Sequence, residues 1–348
     1  MNNYIDSNRK ILEHVDRIGQ IKTGGRPAPI NVEIDLSNRC NLGCSRCPFA
    51  YTHTRGYWSN KDGSIDTGDL IETDLAEIIL DDLRTNGVRS VVFTGGGEPT
   101  LHPDFDRIID YNRIPAGIYT NGTNITPERA AIMKQSLEWC YVSLNRHTAE
   151  EYAEYTHSNV FDKAVNGIHN LVNADGNATI GVGFLLSENN YMDVACMIEL
   201  GHQLKADYIQ FRPEIAYDME NPQQATGDLF WIDSLLAMDD WKNMPDVVID
   251  ADRFQMYRDW QGHTYPRCYW TQLQTVITPN GKVWNCLNRR GFKGDELGDL
   301  STERFANVWA RSGSKAVDCN CRVMCRGSIS NLALDTMMTK PQGHDLFV

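Results

Sequence analysis

Three closely spaced cysteines, Cys40, Cys44 and Cys47, are the clearest chemical signal in this sequence of 348 residues. Grouped thiolates are the usual ligands of iron–sulfur clusters, and a four-iron cluster normally takes four of them. A group of three leaves one iron free to bind another molecule. A zinc site normally combines a Cys-x2-Cys pair with a second pair, and no fourth ligand lies nearby in the sequence. The spacing therefore favours an open iron–sulfur site over zinc or idle thiols.

The segments that must position these cysteines alternate between strand and helix patterns. Period-two and apolar runs predict strands over 31–36, 90–93, 116–120, 139–144, 179–186 and 208–211. Helical periodicity predicts helices over 75–83, 103–111, 127–135, 161–172 and 192–204. Six alternating units predict an α/β fold, a partial (β/α)6 TIM-like barrel, whose ligands gather at the C-terminal strand ends. The cysteines follow the first of these strands.

The remaining segments suggest a smaller second domain. Residues 274–286 predict a β-hairpin, because Asn280-Gly281 between β-branched runs favours a tight type I′ turn. A short amphipathic helix is predicted over 8–20. We therefore expect four parts. They are an N-terminal helix and lead-in over 1–29, the barrel over 30–213, a connector with one or two helices over 214–266, and a small cysteine-rich domain with a tail over 267–348.

Composition narrows the function classes. The net charge of -13 argues against a surface that gathers nucleic acid or anionic lipid. No signal-peptide core opens the chain and no apolar run approaches the ~20 residues of a membrane span, so we expect a cytoplasmic protein without a membrane partner. Eight of ten cysteines fall in two tight groups, which favours metal ligation over disulfides. The other two, Cys140 and Cys196, are expected to be buried.

The cysteine spacing, with the run Thr94-Gly-Gly-Gly-Glu98 after the next strand, resembles the radical S-adenosylmethionine superfamily. The resemblance implies a [4Fe–4S] cluster on Cys40, Cys44 and Cys47, with S-adenosylmethionine bound at the open iron. It also implies reductive cleavage of that cofactor to a 5′-deoxyadenosyl radical, which takes a hydrogen atom from the substrate. An external one-electron reductant such as flavodoxin or ferredoxin would supply the electron.

The same resemblance assigns cofactor-binding residues at three strand ends. Small residues in the glycine run would let the backbone approach the methionine amine. Many members carry an aromatic residue just before the third cysteine, near the adenine, whereas this chain has Arg46. Turn chemistry alone also explains Asn and Gly at such positions. The predicted cofactor-binding residues are Gly95, Gly96, Gly97, Glu98, Asn121, Ser143 and Asn145.

A second cysteine group lies near the C-terminus and resembles the Twitch or SPASM auxiliary-cluster domains of this superfamily. A full SPASM domain carries more cysteines, for two clusters, whereas this group has five. Five thiols allow one auxiliary [4Fe–4S] cluster with four ligands and one to spare. Which of the last three is spare stays open, and a zinc knuckle is the alternative. The predicted ligands are Cys268, Cys286, Cys319, Cys321 and Cys325, with Cys319 also a candidate spare thiol.

Substrate-binding residues are less clearly marked. Arg212 and Gln210 alternate on one face of the sixth strand, and Glu214 follows. Arg212 is therefore a candidate to reach the substrate or the space between the clusters, or to form an ion pair that braces the barrel mouth. Arg289 and Arg290, directly after Cys286, suit an anionic group or the charge of a cluster.

Several functions are compatible with these features. We expect an oxidoreductase that removes a hydrogen atom from a sugar, cyclitol or nucleoside and passes the second electron to the auxiliary cluster. The sequence shows no peptide-binding domain before the barrel, which favours that small-molecule substrate over a peptide. The alternatives are a SPASM-type peptide or protein maturase, a radical epimerase that uses a spare cysteine as hydrogen donor, and a non-catalytic iron–sulfur electron carrier.

Overall fold

A single curved sheet of ten strands organises the computed structural model of this chain. The model describes residues 7–47, 49, 69–214, 229–238, 241, 243–260, 262–291, 294–312, 317–318, 325 and 327–339. Seven strands run parallel in chain order, as the alternation with helices predicts. They are β1 Asn31–Asp35, β2 Ser90–Thr94, β3 Ala116–Thr120, β4 Trp139–Ser143, β5 Thr179–Leu186, β6 Tyr208–Pro213 and β7 Val247–Ile249.

The first six of these strands confirm the predicted partial barrel. The seventh, β7, pairs in parallel with β6 through Ile209 and Val247 and was not predicted. It has only three residues, which is too short for a period-two pattern to stand out from the connector around it.

The C-terminal strands extend the same sheet at its other edge. They are β8 Arg267–Cys268, β9 Gln274–Ile277, β10 Lys282–Trp284, β11 Glu296–Asp299 and β12 Val317–Asp318. β9 pairs in parallel with β1, and β10 and β11 follow in antiparallel order. β8 and β12 form a separate two-stranded ribbon. The predicted hairpin is therefore present, and it is continuous with the barrel sheet.

The hairpin turn differs from the predicted type I′ geometry. Gly281 has a φ of 79°, but Asn280 does not lie in the left-handed region. The Gly281 amide donates to the Thr278 carbonyl at 2.9 Å, and the Thr278 amide donates to the Lys282 carbonyl at 3.0 Å. This is a three-residue loop with a type I turn and a left-handed glycine. Pro279 favours it because proline fixes a negative φ at the first turn position.

The helices lie mostly on the outer face of the sheet. The helix predicted over 8–20 is two short helices, and the connector contains two helices, Phe230–Ala237 and Ala251–Arg258. The helix Ala149–Thr156 was not predicted, although Thr148 and Glu151 form the S/T-x-x-E pattern of a capping box. The Thr148 hydroxyl accepts from the Glu151 amide at 3.2 Å. The helices are α1 Ser7–Leu12, α2 Val15–Lys22, α3 Thr73–Thr85, α4 Phe105–Tyr111, α5 Pro127–Ser136, α6 Ala149–Thr156, α7 Phe161–Asn173, α8 Val194–Gln203, α9 Phe230–Ala237, α10 Ala251–Arg258, α11 Phe305–Arg311 and α12 Ser328–Met338.

The two cysteines outside the groups differ in their surroundings. Cys140 on β4 is buried, as predicted. Cys196 is exposed, so the prediction that it is buried was wrong. The buried face of α8 uses Val194, Met197 and Ile198, and position 196 falls outside that three-and-four spacing.

The structure also bears on membrane insertion. Among the described residues, no helix combines the length and apolar character needed to cross a bilayer.

Candidate active site

The loop that carries the three cysteines leaves β1 and docks on the C-terminal end of α6. The Gly43 amide donates to the Thr156 carbonyl at 2.8 Å, and the Ser45 amide donates to the Tyr155 carbonyl at 2.9 Å. The last carbonyls of a helix have no partner within it, so they are available to accept these bonds. Within the loop, the Cys47 amide donates to the Cys44 carbonyl at 3.2 Å. Backbone hydrogen bonds to α6 and within the loop therefore hold the cysteine loop in place.

The glycine run after β2 packs against the same loop. The Gly97 amide donates to the Ser37 carbonyl at 3.0 Å, and the Glu98 amide donates to the Arg39 carbonyl at 2.8 Å. A Cβ atom at Gly95 would lie 2.5 Å from the Ser37 carbonyl oxygen. One at Gly97 would lie 2.6 Å from the Asn38 carbonyl carbon and closer still to the Arg39 carbonyl. The close approach that requires these two glycines is thus an approach to the cysteine loop.

Glu98, predicted to bind the cofactor, is buried and uses both carboxylate oxygens within the protein. Its Oε1 accepts from the hydroxyls of Thr100 and Thr120, each at 2.7 Å, and from the Thr100 amide at 3.1 Å. Its Oε2 accepts from the Asn121 amide at 2.7 Å. Burial raises the pKa of Glu98, while these hydrogen bonds oppose the rise. The carboxylate therefore ties the glycine run to the end of β3.

Asn121 links the end of β3 to the cysteine loop. The side-chain nitrogen of Asn121 donates to the side-chain oxygen of Asn41 at 2.9 Å, and the side-chain nitrogen of Asn41 donates to the Thr123 hydroxyl at 2.8 Å. The Thr123 hydroxyl donates back to the Asn121 oxygen at 2.7 Å, which closes the network. Three predicted site segments, at the ends of β1, β2 and β3, are therefore joined by hydrogen bonds.

Ser143 and Asn145 lie at the same edge of the sheet. Ser143 ends β4, and Asn145 adopts a left-handed φ of 66°, a conformation that asparagine tolerates better than most residues. The Asn145 amide donates to the Gly183 carbonyl on β5 at 2.9 Å. A role for either side chain at the cofactor stays a prediction.

The three thiols suit a metal cluster. Burial raises the pKa of Cys40 to about 12 and that of Cys47 to about 11. The pKa of Cys44 is also raised, first by burial and then by the neighbouring thiols of Cys47 and Cys40. Buried thiols that raise one another's pKa are costly to ionise alone, whereas a bound cation deprotonates them. The donor set and its surroundings fit an iron–sulfur cluster.

A group of ion pairs closes the rim beside the cysteine loop. Glu214, after β6, pairs with Arg146 at 3.0 Å and lies 3.6 Å from Arg46. Arg146 also lies over the Tyr155 ring, 4.0 Å from its centroid. Position 46, where the family resemblance led us to expect an aromatic residue, is thus used here for charge pairing. An ion pair does brace the barrel mouth, but Arg146 and Arg46 form it with Glu214.

Arg290 joins the second cysteine group to the base of the first. Its guanidinium is fully buried, hydrogen-bonds Asp35 and lies 3.7 Å from Glu33. It also lies 4.2 Å from the centroid of the Phe49 ring. Asp35 ends the strand before Cys40, and Phe49 follows Cys47. By contrast, Arg289 is partly exposed and pairs with Asp295 at 2.7 Å.

The second cysteine group is described in part. The sulfur of Cys286 accepts from the Asn288 amide at 3.3 Å, and the sulfur of Cys325 accepts from the Gly327 amide at 3.2 Å. Hydrogen bonds from backbone amides to sulfur stabilise thiolates and tune iron–sulfur clusters. Asn331 on α12 bonds the Trp270 amide and the Arg267 carbonyl, which holds α12 against the Cys268 segment. Cys319 and Cys321 lie outside the described residues, so the ligand set stays a prediction.

Arg212 lies inside the barrel, away from the ion pairs of the rim. Its guanidinium stacks over Tyr141, 4.4 Å from the ring centroid, and lies 5.6 Å from the centroid of Tyr119. Gln210 lines the same lumen.

The bracing roles of Arg146 and Arg290 were not predicted. The capping box of α6 was the one sequence signal for the surface on which the cysteine loop docks.

A parallel barrel with three thiols at its C-terminal edge defines a class of protein, and comparison with known families agrees. The Radical SAM superfamily profile matches residues 34–200, and the chain belongs to that superfamily. Within it, the chain is 32% identical over 308 residues to mycofactocin maturase MftC from Mycobacterium tuberculosis (strain CDC 1551 / Oshkosh). That alignment covers 83% of this chain and 72% of the relative. A [4Fe–4S] cluster and S-adenosylmethionine are therefore its cofactors.

Other known proteins are similar to this chain in sequence or in fold. Fe-coproporphyrin III synthase from Methanosarcina barkeri (strain Fusaro / DSM 804) is 28% identical over 211 residues, covering 59% of this chain and 49% of the relative. Streptococcus suis SuiB, solved with its precursor peptide SuiA, superposes with a TM-score of 0.64 at 16% identity and covers 88% of this chain and 70% of SuiB. Native anSMEcpe with bound AdoMet gives 0.59 at 16% identity, covering 81% and 80%. The structural matches confirm the α/β barrel fold.

Proposed function

We propose that this chain is a radical S-adenosylmethionine maturase that modifies a peptide and carries an auxiliary [4Fe–4S] cluster on its second cysteine group. The observation that supports this most is the 32% identity to mycofactocin maturase MftC, which extends over 308 residues. An alignment of that length exceeds the barrel, which spans 30–213 in our prediction. SuiB, which shares the fold, is bound to a precursor peptide in its solved structure. These findings favour a peptide over the small molecule expected from the sequence.

The residues of this chain would divide the work of the site. Cys40, Cys44 and Cys47 would hold the cluster, and the glycine run with Ser143 and Asn145 would lie around the cofactor. When bound, the cluster and S-adenosylmethionine supply a 5′-deoxyadenosyl radical that takes a hydrogen atom from the substrate. Glu98 and Asn121 fix the three loops relative to one another. Such fixed geometry is what positions a substrate hydrogen for transfer.

The second cysteine group would hold the auxiliary cluster and accept the second electron of an oxidation. Four of Cys268, Cys286, Cys319, Cys321 and Cys325 would be its ligands, and a spare thiol such as Cys319 is a candidate hydrogen donor. Hydrogen bonds from backbone amides to the sulfurs of Cys286 and Cys325 support thiolates at two of these positions.

The radical chemistry is tested by anaerobic reconstitution, followed by counting of iron and detection of 5′-deoxyadenosine after reduction. About eight irons per chain are expected for two clusters, and about four irons per chain would contradict the presence of an auxiliary cluster. A Cys40→Ala variant is the control and should form no 5′-deoxyadenosine. Formation of 5′-deoxyadenosine by that variant would contradict the assignment of the cysteines.

The substrate class is tested with deuterated pools. We expect deuterium to enter 5′-deoxyadenosine from a perdeuterated peptide pool, because the hydrogen atom comes from the substrate. A parallel pool of perdeuterated sugars, cyclitols and nucleosides is the comparison. Deuterium transfer from that pool alone would replace the peptide assignment with the small-molecule one.

A further inference from the structure

A cavity of about 660 Å³ lies in the lumen of the barrel and reaches Ile11 and His14 of the N-terminal segment. It extends from the N-terminal strand ends, at Asn31, Ser90 and Thr179, to Arg212 and Tyr119 near the C-terminal ends of their strands. Its volume falls within the usual range for sites that bind small molecules or single side chains. The upper end of the cavity therefore lies just below the edge where the cofactor residues gather.

One wall of this cavity is aromatic. The ring of Tyr119 meets Trp139 and Tyr141 edge to face, with centroids 5.1 and 5.2 Å away. Two glycines of β5 make room for this wall, because a Cβ at Gly183 would overlap the Tyr141 ring and one at Gly181 would overlap Tyr208. Gly181 and Gly183 of β5 thus leave space in the lumen that rings from the neighbouring strands occupy.

Arg212 places a positive charge against this wall. None of the ion pairs among the described residues includes Arg212, and Glu33, which also lines the cavity, is paired with Arg290. Arg212 and Tyr141 lie close enough to interact with each other, but the Arg212 Nε and the Tyr141 hydroxyl are buried and neither forms a well-aligned hydrogen bond with a described residue. A buried guanidinium nitrogen and a buried hydroxyl of this kind cost free energy unless a ligand or water satisfies them. The two groups lie together at the upper end of the cavity.

We propose that this cavity receives the part of the substrate that carries a carboxylate, and that Arg212 and Tyr141 bind that carboxylate at the upper end of the lumen. A guanidinium presents a planar set of donors that matches two carboxylate oxygens. The Tyr141 and Tyr119 rings hold the guanidinium against one wall, and Arg212 itself lines the cavity. This inference rests on the proposed peptide function, and in a peptide the carboxylate belongs to an acidic side chain or to the C-terminus.

The test measures binding, without turnover, to the reconstituted enzyme with S-adenosylmethionine. Equilibrium dialysis with radiolabelled benzoate and its neutral analogue benzamide reports preference for a carboxylate in an aromatic cavity. We expect benzoate to bind at least about 10-fold more tightly, because a charge-assisted hydrogen bond is lost with benzamide. Arg212→Met should reduce this ratio to near one, and Arg212→Lys should leave an intermediate ratio.

The matched control is Arg253→Met, which removes a second guanidinium that lines the same cavity. It should keep the wild-type ratio, and loss of the ratio in Arg253→Met but not in Arg212→Met would overturn the inference. A ratio near one in the wild type would overturn it whether or not the variants fold. Because 5′-deoxyadenosine formation is measured separately, the carboxylate site can fail while the radical function stands.

Competition then identifies the source of the carboxylate. N-acetylalanine carries only a terminal carboxylate. N-acetylglutamate α-methylamide carries only a side-chain carboxylate, because its α-carboxyl group is blocked. Displacement of benzoate by one of them supports the inference and identifies the source. Displacement by neither would overturn the assignment to a peptide carboxylate.

Discussion

Arg290 is the residue whose replacement gives the sharpest test of how the two cysteine groups are held together. Its guanidinium and the Asp35 carboxylate are both 0% exposed, and Glu33 is 6% exposed. Arg290→Met keeps most of the side-chain volume and leaves two buried carboxylates without their cation. Removal of one partner from a buried ion pair costs about 3–5 kcal/mol, because the remaining charge is not solvated. For a chain of this size, that loss lowers the melting temperature by roughly 4–7 °C.

The neighbouring residue supplies the control for this prediction. Arg289 pairs with Asp295 at 2.7 Å, but its side chain is 43% exposed. Exposed pairs contribute about 0–1 kcal/mol, so Arg289→Met should change the melting temperature by less than about 2 °C. Thermal melts of the reconstituted variants measure both effects. Equal losses for Arg289→Met and Arg290→Met would refute the argument from burial.

The pH dependence of the Arg290→Met loss provides a second check. Burial already raises the pKa of Asp35, although Arg290 opposes the rise. Without Arg290 the pKa of Asp35 rises further, so the folded variant keeps a proton that the unfolded chain releases. Stability then falls as pH increases above the ordinary carboxyl pKa near 4. The decrease in melting temperature caused by Arg290→Met should therefore be larger at pH 8 than at pH 6. A double variant that also carries Asp35→Asn should show a weaker dependence of this decrease on pH.

Two further predictions concern the cysteine loop and the N-terminal helices. Gly97→Ala should lower both iron content and S-adenosylmethionine binding, because its Cβ meets the backbone of Asn38 and overpacking costs about 1–3 kcal/mol. Gly19→Ala, with nothing within 4 Å, is the matched control, and equal iron retention by both variants would contradict the prediction. Burial, then Arg89, lowers the pKa of His14, so the unfolded chain binds its proton first and stability should fall as pH drops below about 6.5. Melts from pH 7.5 to 5.5 should show a smaller decline in His14→Gln, and an unchanged decline would exclude this role.

Much of the barrel could be predicted because its information is local. Strand and helix patterns repeat over a few residues, and the C-terminal strand ends of a parallel sheet meet at one edge. The cysteine loop, the glycine run and Asn121 were therefore expected near one another, and the structure joins them by hydrogen bonds. The same local rules missed β7, which is too short for a periodic pattern.

The roles of individual charged residues depended on contacts between distant segments. Arg290 and Asp35 are 255 positions apart, and no local pattern indicates that one neutralises the other. The cofactor role of Glu98 stays a prediction, and its oxygens also accept hydrogen bonds from Thr100, Thr120 and Asn121, which no local pattern indicates. A sequence shows that a carboxylate is available near a site, while only the fold shows which donors reach it first.

The continuity of the sheet gives the second cysteine group a fixed relation to the first. β9 pairs in parallel with β1, and the segment after β10 carries Cys286 and then Arg290. Arg290 in turn holds Asp35, at the end of β1, just before the loop of Cys40. Strand pairing and a buried ion pair therefore connect the same two segments by independent contacts. Because both contacts involve β1, a displacement of the C-terminal hairpin would also move the start of the cysteine loop. An electron acceptor placed on that hairpin would thus keep its position relative to the cofactor site during turnover.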